Sequence, residues 1–236
     1  MQILGLIPGR GGSKSIHRKN VTPLAGKPLI AYTCTVARAS RWITRVLLST
    51  DDEEIAAIGR KLGADVPFMR PPELALDDTP MFDVVRHALG WLKHNEGYQP
   101  HLVVLLQPTS PLRRERHIDE AIELLLETKA DSVVSVVEVP HQYNPVSLLR
   151  IEGGQLAPYL PGEGFRILRR QEKPKVYARN GPAVLVTRCE VIERSGTLYG
   201  HRIVPYIMGW PESLDIDSEL DILLAESLMQ ERGKDR

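Results

Sequence analysis

Short apolar runs alternate along the chain with stretches whose apolar residues recur every three or four positions, and the two patterns call for different backbones. QILGLI (2–7), RVLLST (45–50), LVVLLQ (102–107) and DSVVSVVEV (131–139) are short and mostly rich in leucine or β-branched residues. They read as buried strands. Between them, DDEEIAAIGRKL puts Ile55, Ile58 and Leu62 on one helical face behind an acidic first turn, and FDVVRHALGWL does the same with Val85, Leu89 and Leu92. HIDEAIELLLE adds Ile118, Ile122 and Leu125, and the tail SELDILLAESLM offers Leu220, Leu224 and Leu228. Strand and helix patterns in alternation predict an α/β fold of three layers, with helices covering a mainly parallel sheet.

Residues 140–182 break this rhythm. They are rich in glycine, proline and basic residues and carry only short alternating runs, which reads as an inserted hairpin or arm on a single domain spanning 1–236. A chain of 236 residues is long enough to bury a substantial core. Thirty basic and thirty acidic residues cancel, so a general electrostatic grip on nucleic acid or an anionic membrane is not expected, and any anion site must be local. Cys34 and Cys189 match no metal-ligand spacing and read as small buried residues. There is no apolar run of bilayer-spanning length and no secretory pattern at the start, so the expected location is the cytoplasm.

The local anion site suggests itself in IPGRGGSKSIHRKN (7–20), which sets three glycines, two arginines and two lysines directly after an apolar run and contains no acid. It leaves the carboxyl end of the first expected strand, where ligand crevices open in parallel sheets. Gly11 and Gly12 permit close backbone approach, and Arg10, Lys14 and Lys19 supply charge, a set suited to a polyphosphate. Neither the P-loop nor the dinucleotide fingerprint is present. Near the other end, LDIDS (214–218) in extended form turns Asp215 and Asp217 to one side and Ile216 to the other. Two carboxylates together suit Mg²⁺, which takes one or two of them beside substrate phosphates. Asp217 or Ser218 also stands where the N-cap of the following helix is expected, and the two roles are compatible. LLQPTSPLR (105–113) presents Gln107, Thr109 and Ser110 between stiffening prolines, suited either to a hydroxyl-rich ligand or to a structural turn. Arg70 in RPPELALDDT is either a surface charge or a ligand contact.

Taken in order, IPGRGGSKSIHRKN, PLAGKPLIAYT, STDDEEIA, RPPELALDDTP, LLQPTSPLR, RNGPAVLV and LDIDSELD resemble the acylneuraminate cytidylyltransferases along nearly the whole chain. The related deoxy-octulosonate cytidylyltransferases fit less well, because their opening loop has a different pattern. The resemblance implies a Rossmann-like nucleotidyltransferase fold of the glycosyltransferase-A-like kind, with a mixed, mainly parallel sheet and an arm that makes a homodimer. It also implies a Mg²⁺-dependent reaction in which the anomeric hydroxyl of an acidic sugar attacks the α-phosphate of CTP, giving a CMP-sugar and pyrophosphate. By resemblance, Arg10, Ser13, Lys14 and Lys19 hold the triphosphate beside Gly11 and Gly12, and Asn20 the nucleoside. Arg70 with the Thr79 loop then holds the cytosine, Asp215 and Asp217 the metal, and Gln107, Thr109, Arg170 and Asn180 the acceptor.

The pattern departs from the family on the acceptor side. Where sialic-acid enzymes often read Arg-Pro-Asn-Gly, this chain has Ala178 and Arg179 before Asn180. Val146 and Ser147 stand where a partner-subunit lysine is expected, and around the nucleotide Met81 and Phe82 stand where small hydroxyl residues are common. Arg166, Arg169 and Arg170 are the expected replacements, since a guanidinium grips a carboxylate bidentately. Other readings are a cytidylyltransferase for a different carboxylate or a phosphonate, a relative using another nucleotide, and a nucleotide-sugar-binding protein without turnover.

Overall fold

In the computed structural model, residues 1–162, 165 and 169–234 are described. Arg166 lies outside them. The first strand, β1 (Ile3–Pro8), is buried along its whole length. Its side chains alternate between two cores, Ile3 and Ile7 facing one, Leu4 and Leu6 the other. That division is the three-layer architecture in miniature.

The opening loop leads through a short ribbon, β2 (Pro23–Leu24) and β3 (Lys27–Pro28), into α1 (Leu29–Ala39). β4 (Arg45–Ser49) is followed by α2 (Glu53–Lys61). Asp52 caps this helix by accepting the Ile55 N–H at 3.0 Å. Next come α3 (Met81–Glu96), β5 (Leu102–Leu105), α4 (Glu115–Thr128) and β6 (Ser132–Glu138). Residues 140–182 contain the hairpin β7 (Leu149–Glu152) and β8 (Gln155–Pro158), and also β9 (Tyr177–Arg179). β10 (Leu185–Arg188), α5 (Cys189–Ser195), β11 (Ile203–Met208) and α6 (Glu219–Lys234) complete the chain.

The sheet runs β11–β6–β10–β5–β1–β4. β1 lies parallel to β4 and β5, and β6 parallel to β11, while β10 runs antiparallel between β5 and β6. Helices α1, α2 and α4 cover one face with Ile30, Ile55, Ile118, Ile122 and Leu125. Val85, Ala88 and Leu92 of α3 and Ile192 of α5 cover the other. The fold is α/β with a mixed, mostly parallel sheet, as the periodicity implies.

Two features shape the site. β10 pairs with the first half of β6 and β9 with the second, both on the same side. The chain between them, 180–184, must therefore leave the line of the sheet. Ser135 bridges the gap: its Oγ donates to Asn180 Oδ1 at 2.6 Å and accepts the Val184 N–H at 2.9 Å. The second feature is α6, which buries a different face from the expected one. Ala225, with Ile222 and Met229 partly covered, packs on Leu24, Leu29 and Ile216. Leu220 is 72% exposed. The helix has apolar residues on both sides, so periodicity alone does not phase it. Its phase is set by buried Ile216 just before it and by Glu226, which accepts the Ala25 N–H at 2.8 Å.

Candidate active site

The loops after β1 and β5 leave the carboxyl ends of two neighbouring parallel strands, and a cleft of about 250 Å³ opens between them. Arg10, Gly12, Ser13, Lys19, Asn20, Arg70, Thr79, Gln107 and Thr109 all line it. Residues nearly a hundred positions apart are thus gathered by the strand order.

Arg10 and Lys14 are not idle cations. Arg10 Nη2 lies 2.6 Å from Asp77 Oδ1 and Lys14 Nζ 2.8 Å from Asp77 Oδ2, so one carboxylate spans both. The Lys14 contact holds the Asp77 carboxyl below its usual range, with Arg10 adding to the effect, and the Lys14 ammonium is correspondingly raised. Gly11 donates its N–H to Asp51 Oδ1 at 2.9 Å, and a Cβ there would meet the Asp52 Cβ at 2.9 Å. The glycine is required by that close approach, and its amide is already engaged. Asn20 donates through Nδ2 to the Arg10 carbonyl at 2.8 Å, fixing the backbone that carries the arginine.

Arg70 is buried, with Nε donating to Ser49 Oγ at 3.0 Å and Nη2 to the Ser49 carbonyl. Burial pushes its pKa down to about 10, Arg10 lowering it further and Asp51 opposing. Its other face lines the cleft.

The Asp215–Asp217 pair does not line the cleft but adjoins it through two lining residues, Asp217 through Lys19 and Asp215 through Thr109. Ile216 is fully buried, as the strand alternation requires, and its N–H donates to the Thr109 carbonyl at 2.8 Å. Buried Lys19 donates through Nζ to the Ile216 carbonyl at 2.7 Å and to Asp217 Oδ1 at 2.9 Å, tying the opening loop to the tail. The capping role falls on Ser218 and Asp221, whose side chains exchange bonds with each other's backbone N–H, so the Asp217 carboxylate is not consumed by the helix. Burial raises the Asp215 carboxyl above the ordinary range; a Thr109 hydrogen bond opposes this, and nearby Asp217 adds to it.

Asp215 Oδ1 is buried without a hydrogen-bond partner, and so is Ser110 Oγ. A Cβ on Gly181, whose φ is 116°, would stand 3.6 Å from the first and 3.5 Å from the second. A buried carboxylate oxygen left unpaired is costly unless something else satisfies it. An all-oxygen pair with one such atom fits a hard divalent cation of the Mg²⁺ kind. No cluster of three or more metal-ligating side chains occurs among the described residues.

Other residues fall elsewhere. Asn180 is buried, donating through Nδ2 to Ser213 Oγ at 2.9 Å and accepting from Ser135. It anchors the strand break. Arg170 opens an exposed turn and lines neither the cleft nor the cavity beside it, and Arg169 is likewise exposed.

Three features escaped the sequence reading. Asp77 is the first: it lies far along the chain from Arg10 and Lys14, and no local pattern pairs it with them. Arg113 is buried; it donates to the carbonyls of Gln107 at 3.1 Å and Ala183 at 2.6 Å and to Thr33 Oγ1 at 2.6 Å, and burial pushes its pKa down to about 9. It clasps the loop after β5 to the loop after β9. The third is a cavity of about 550 Å³ next to the cleft, lined by Arg179, Tyr199 and an apolar wall.

The sequence profile of the cytidylyltransferase family matches residues 4–152, from the start of β1 to the end of β7. The chain belongs to the cytidylyltransferase family. It is 34% identical over 98% of its length to the CMP-N,N′-diacetyllegionaminic acid synthase of Legionella pneumophila, covering 97% of that protein. It is 32% identical over its full length to the N-acylneuraminate cytidylyltransferase of Escherichia coli, of which it spans 54%. Among solved structures, CMP:2-keto-3-deoxy-manno-octonic acid synthetase complexed with CTP superposes with a TM-score of 0.71 at 14% identity, covering 98% of this chain and all of that one. The 4-diphosphocytidyl-2C-methyl-D-erythritol synthase of Anaerococcus prevotii gives 0.65, also at 14% identity, over 97% of this chain and 96% of its own. These likenesses extend the cytidylyltransferase fold across nearly the whole chain, including the part beyond the family profile.

Proposed function

We propose that this cytidylyltransferase joins CMP from CTP to an acidic nonulosonic sugar, releasing pyrophosphate. The observation that carries the reading is the meeting of two opposed charge sets at one end of the sheet: Arg10 and Lys14 on the opening loop, and Asp215 and Asp217 on a segment that Lys19 ties to that loop through the Ile216 carbonyl and Asp217. The named relatives, a CMP-diacetyllegionaminic acid synthase and an N-acylneuraminate cytidylyltransferase, supply the acceptor class.

In this reading the acceptor's anomeric hydroxyl oxygen forms a bond to the α-phosphorus of CTP as the bond from that phosphorus to the bridging oxygen breaks. Pyrophosphate takes the electron pair, and the hydroxyl proton is lost. Such a reaction needs positioned charge rather than covalent participation by the protein. Arg10, Ser13 and Lys14 meet the triphosphate once Asp77 is displaced. Lys19 offsets negative charge between the phosphates and Asp217, Asn20 holds the loop toward the nucleoside, and Arg70 and Thr79 border the base. Gln107 and Thr109 lie where donor and acceptor meet. Asp215 and Asp217 would hold Mg²⁺, which when bound neutralises phosphate oxygens and makes the acceptor hydroxyl more acidic. A proton competes for Asp215, whose carboxyl is raised by burial, so metal affinity falls as pH is lowered. A reaction that uses CTP is expected where CTP is available, in the cytoplasm. No helix among the described residues is long and apolar enough to cross a membrane.

Asp215→Asn and Asp217→Asn should each lower pyrophosphate release by on the order of 100-fold. CTP binding measured without metal should be retained. Turnover equal to wild type in both variants would remove the carboxylate pair from the mechanism.

A further inference from the structure

Asp215 and Asp217 lie on a segment outside the sheet, between the turn Pro211–Ser213 and the start of α6. An α-helix rises about 1.5 Å per residue, so Arg232 stands about 20 Å along α6 from the aspartates. Yet Arg232 Nη2 donates to Glu212 Oε1 at 2.7 Å, and Glu212 comes just before the aspartates in the chain. The segment therefore folds back along α6. Leu214 and Ile216 accordingly pack in one cluster with Ile222, Ala225 and Met229 of the helix.

The two ends of this fold-back are fastened differently. At the aspartate end, Ser218 and Asp221 exchange capping bonds. At the far end the fastening is the Glu212–Arg232 ion pair, largely covered, with side chains 14% and 26% exposed. Arg232 Nη1 also donates to the Leu112 carbonyl at 3.2 Å, and Arg114 Nη2 stands 4.0 Å from the same Glu212 oxygen. Leu112 belongs to the loop after β5, whose Thr109 accepts the Ile216 N–H and hydrogen-bonds Asp215. One guanidinium thus joins the end of α6 to both segments that meet at Asp215. Glu212 Oε2 lies over Gly209, 2.7 Å from where a Cβ would stand, so a side chain there would move the carboxylate. A guanidinium held at two points fixes the geometry of what it joins as well as adding stability. Neither Glu212 nor Arg232 lines the cleft or the cavity beside it.

We infer that Glu212 and Arg232 are positioning residues: as a pair they set the segment carrying Asp215 and Asp217 against Thr109, and so govern cation affinity without touching the cation or either substrate. This rests on the metal-holding role proposed above for the two aspartates. A pair that served stability alone would leave the cation affinity of the folded protein unchanged.

The test uses Mn²⁺ alone as the probe, a hard cation whose free fraction is read by electron paramagnetic resonance, on wild type, Arg232→Ala, Arg232→Lys, Glu212→Gln and Asp217→Asn. Loss of a charge-assisted contact predicts that Arg232→Ala and Glu212→Gln each weaken Mn²⁺ binding about 3- to 10-fold. Their double variant should lose no more than either alone, because the two side chains act as one unit. Arg232→Lys, which keeps the ion pair but cannot span to Leu112 with a planar fork, should fall between. In steady-state pyrophosphate release, half-saturating Mg²⁺ should rise by the same factor while the rate at saturating Mg²⁺ stays near wild type. CTP binding without metal should be unchanged. Wild-type Mn²⁺ affinity in both Arg232→Ala and Glu212→Gln overturns the inference, even if their melting temperatures fall. So does metal-free CTP binding that weakens in step with Mn²⁺ binding. Mn²⁺ binding that Asp217→Asn leaves unaltered would refute the metal role of the aspartates, and this inference with it.

Discussion

Asp77 shows how much one residue sets the resting state of the donor site. Its carboxylate oxygens stand against Arg10 and Lys14, the two cations proposed to meet the triphosphate. The pair is solvent-exposed, Lys14 at 83%, so its contribution is small and salt-sensitive. In the proposed reaction a bound triphosphate would bring more charge to the same donors and displace it. Removing the competitor, in Asp77→Asn, should tighten CTP binding about two- to fivefold at low ionic strength. The gain should shrink as salt is raised, and isothermal titration at two salt concentrations reads both effects; unchanged or weaker binding would show that Asp77 orders the loop rather than competing. At this scale the sequence was most legible where a local rule acts alone. The alternation through Leu214–Ser218 correctly separates buried Ile216 from the two aspartates. It was least legible where a partner comes from afar: nothing near Arg10 announces Asp77, and nothing near Gln107 announces that Arg113 holds its carbonyl.

At the scale of elements, the exposed hairpin matters most. Gly153 and Gly154 both have positive φ, which gives the two-residue turn joining β7 to β8. Leu149 pairs with Pro158 and Ile151 with Leu156, so these four side chains share one face of the ribbon. That face is largely open, with Ile151 76% and Leu156 58% exposed. Two strands alone are marginally stable, and an apolar face of this kind calls for a cover. A second copy of the chain is the proposed cover. Light scattering should give twice the 26.5 kDa chain mass for wild type and close to 26.5 kDa for Ile151→Lys/Leu156→Lys. A monomeric wild type at micromolar concentration would contradict it. The hairpin was legible as a departure from the strand–helix rhythm. β11 was not: its residues alternate between exposed and half-buried and include Pro205, a pattern an edge strand tolerates but a periodicity reading passes over. The long apolar tail misled for the opposite reason, since α6 offers two candidate faces and only its anchors choose between them.

For the whole molecule, the relevant fact is convergence. A chain with no net charge creates a strongly polar site by bringing the basic loop after β1, the prolyl loop after β5, the strand break after β9 and the aspartates before α6 to one end of the sheet. Donor cleft and adjoining cavity meet at Met81 and Gln107, so two substrates can be held side by side. The order of motifs was enough to read the family, because those residues fall in contiguous stretches. The adjoining cavity was not readable: its lining comes from α3, β5, β9, β10 and the segment after α5, assembled by a strand interruption that no local pattern signals. The central claim is tested most directly by incubating the protein with CTP, Mg²⁺ and N,N′-diacetyllegionaminic or N-acetylneuraminic acid, and quantifying nucleotide products and pyrophosphate together. The account predicts CMP-sugar and pyrophosphate in equal amounts, dependent on the acidic sugar. Turnover with a neutral sugar phosphate alone, or inorganic phosphate in place of pyrophosphate, would contradict it.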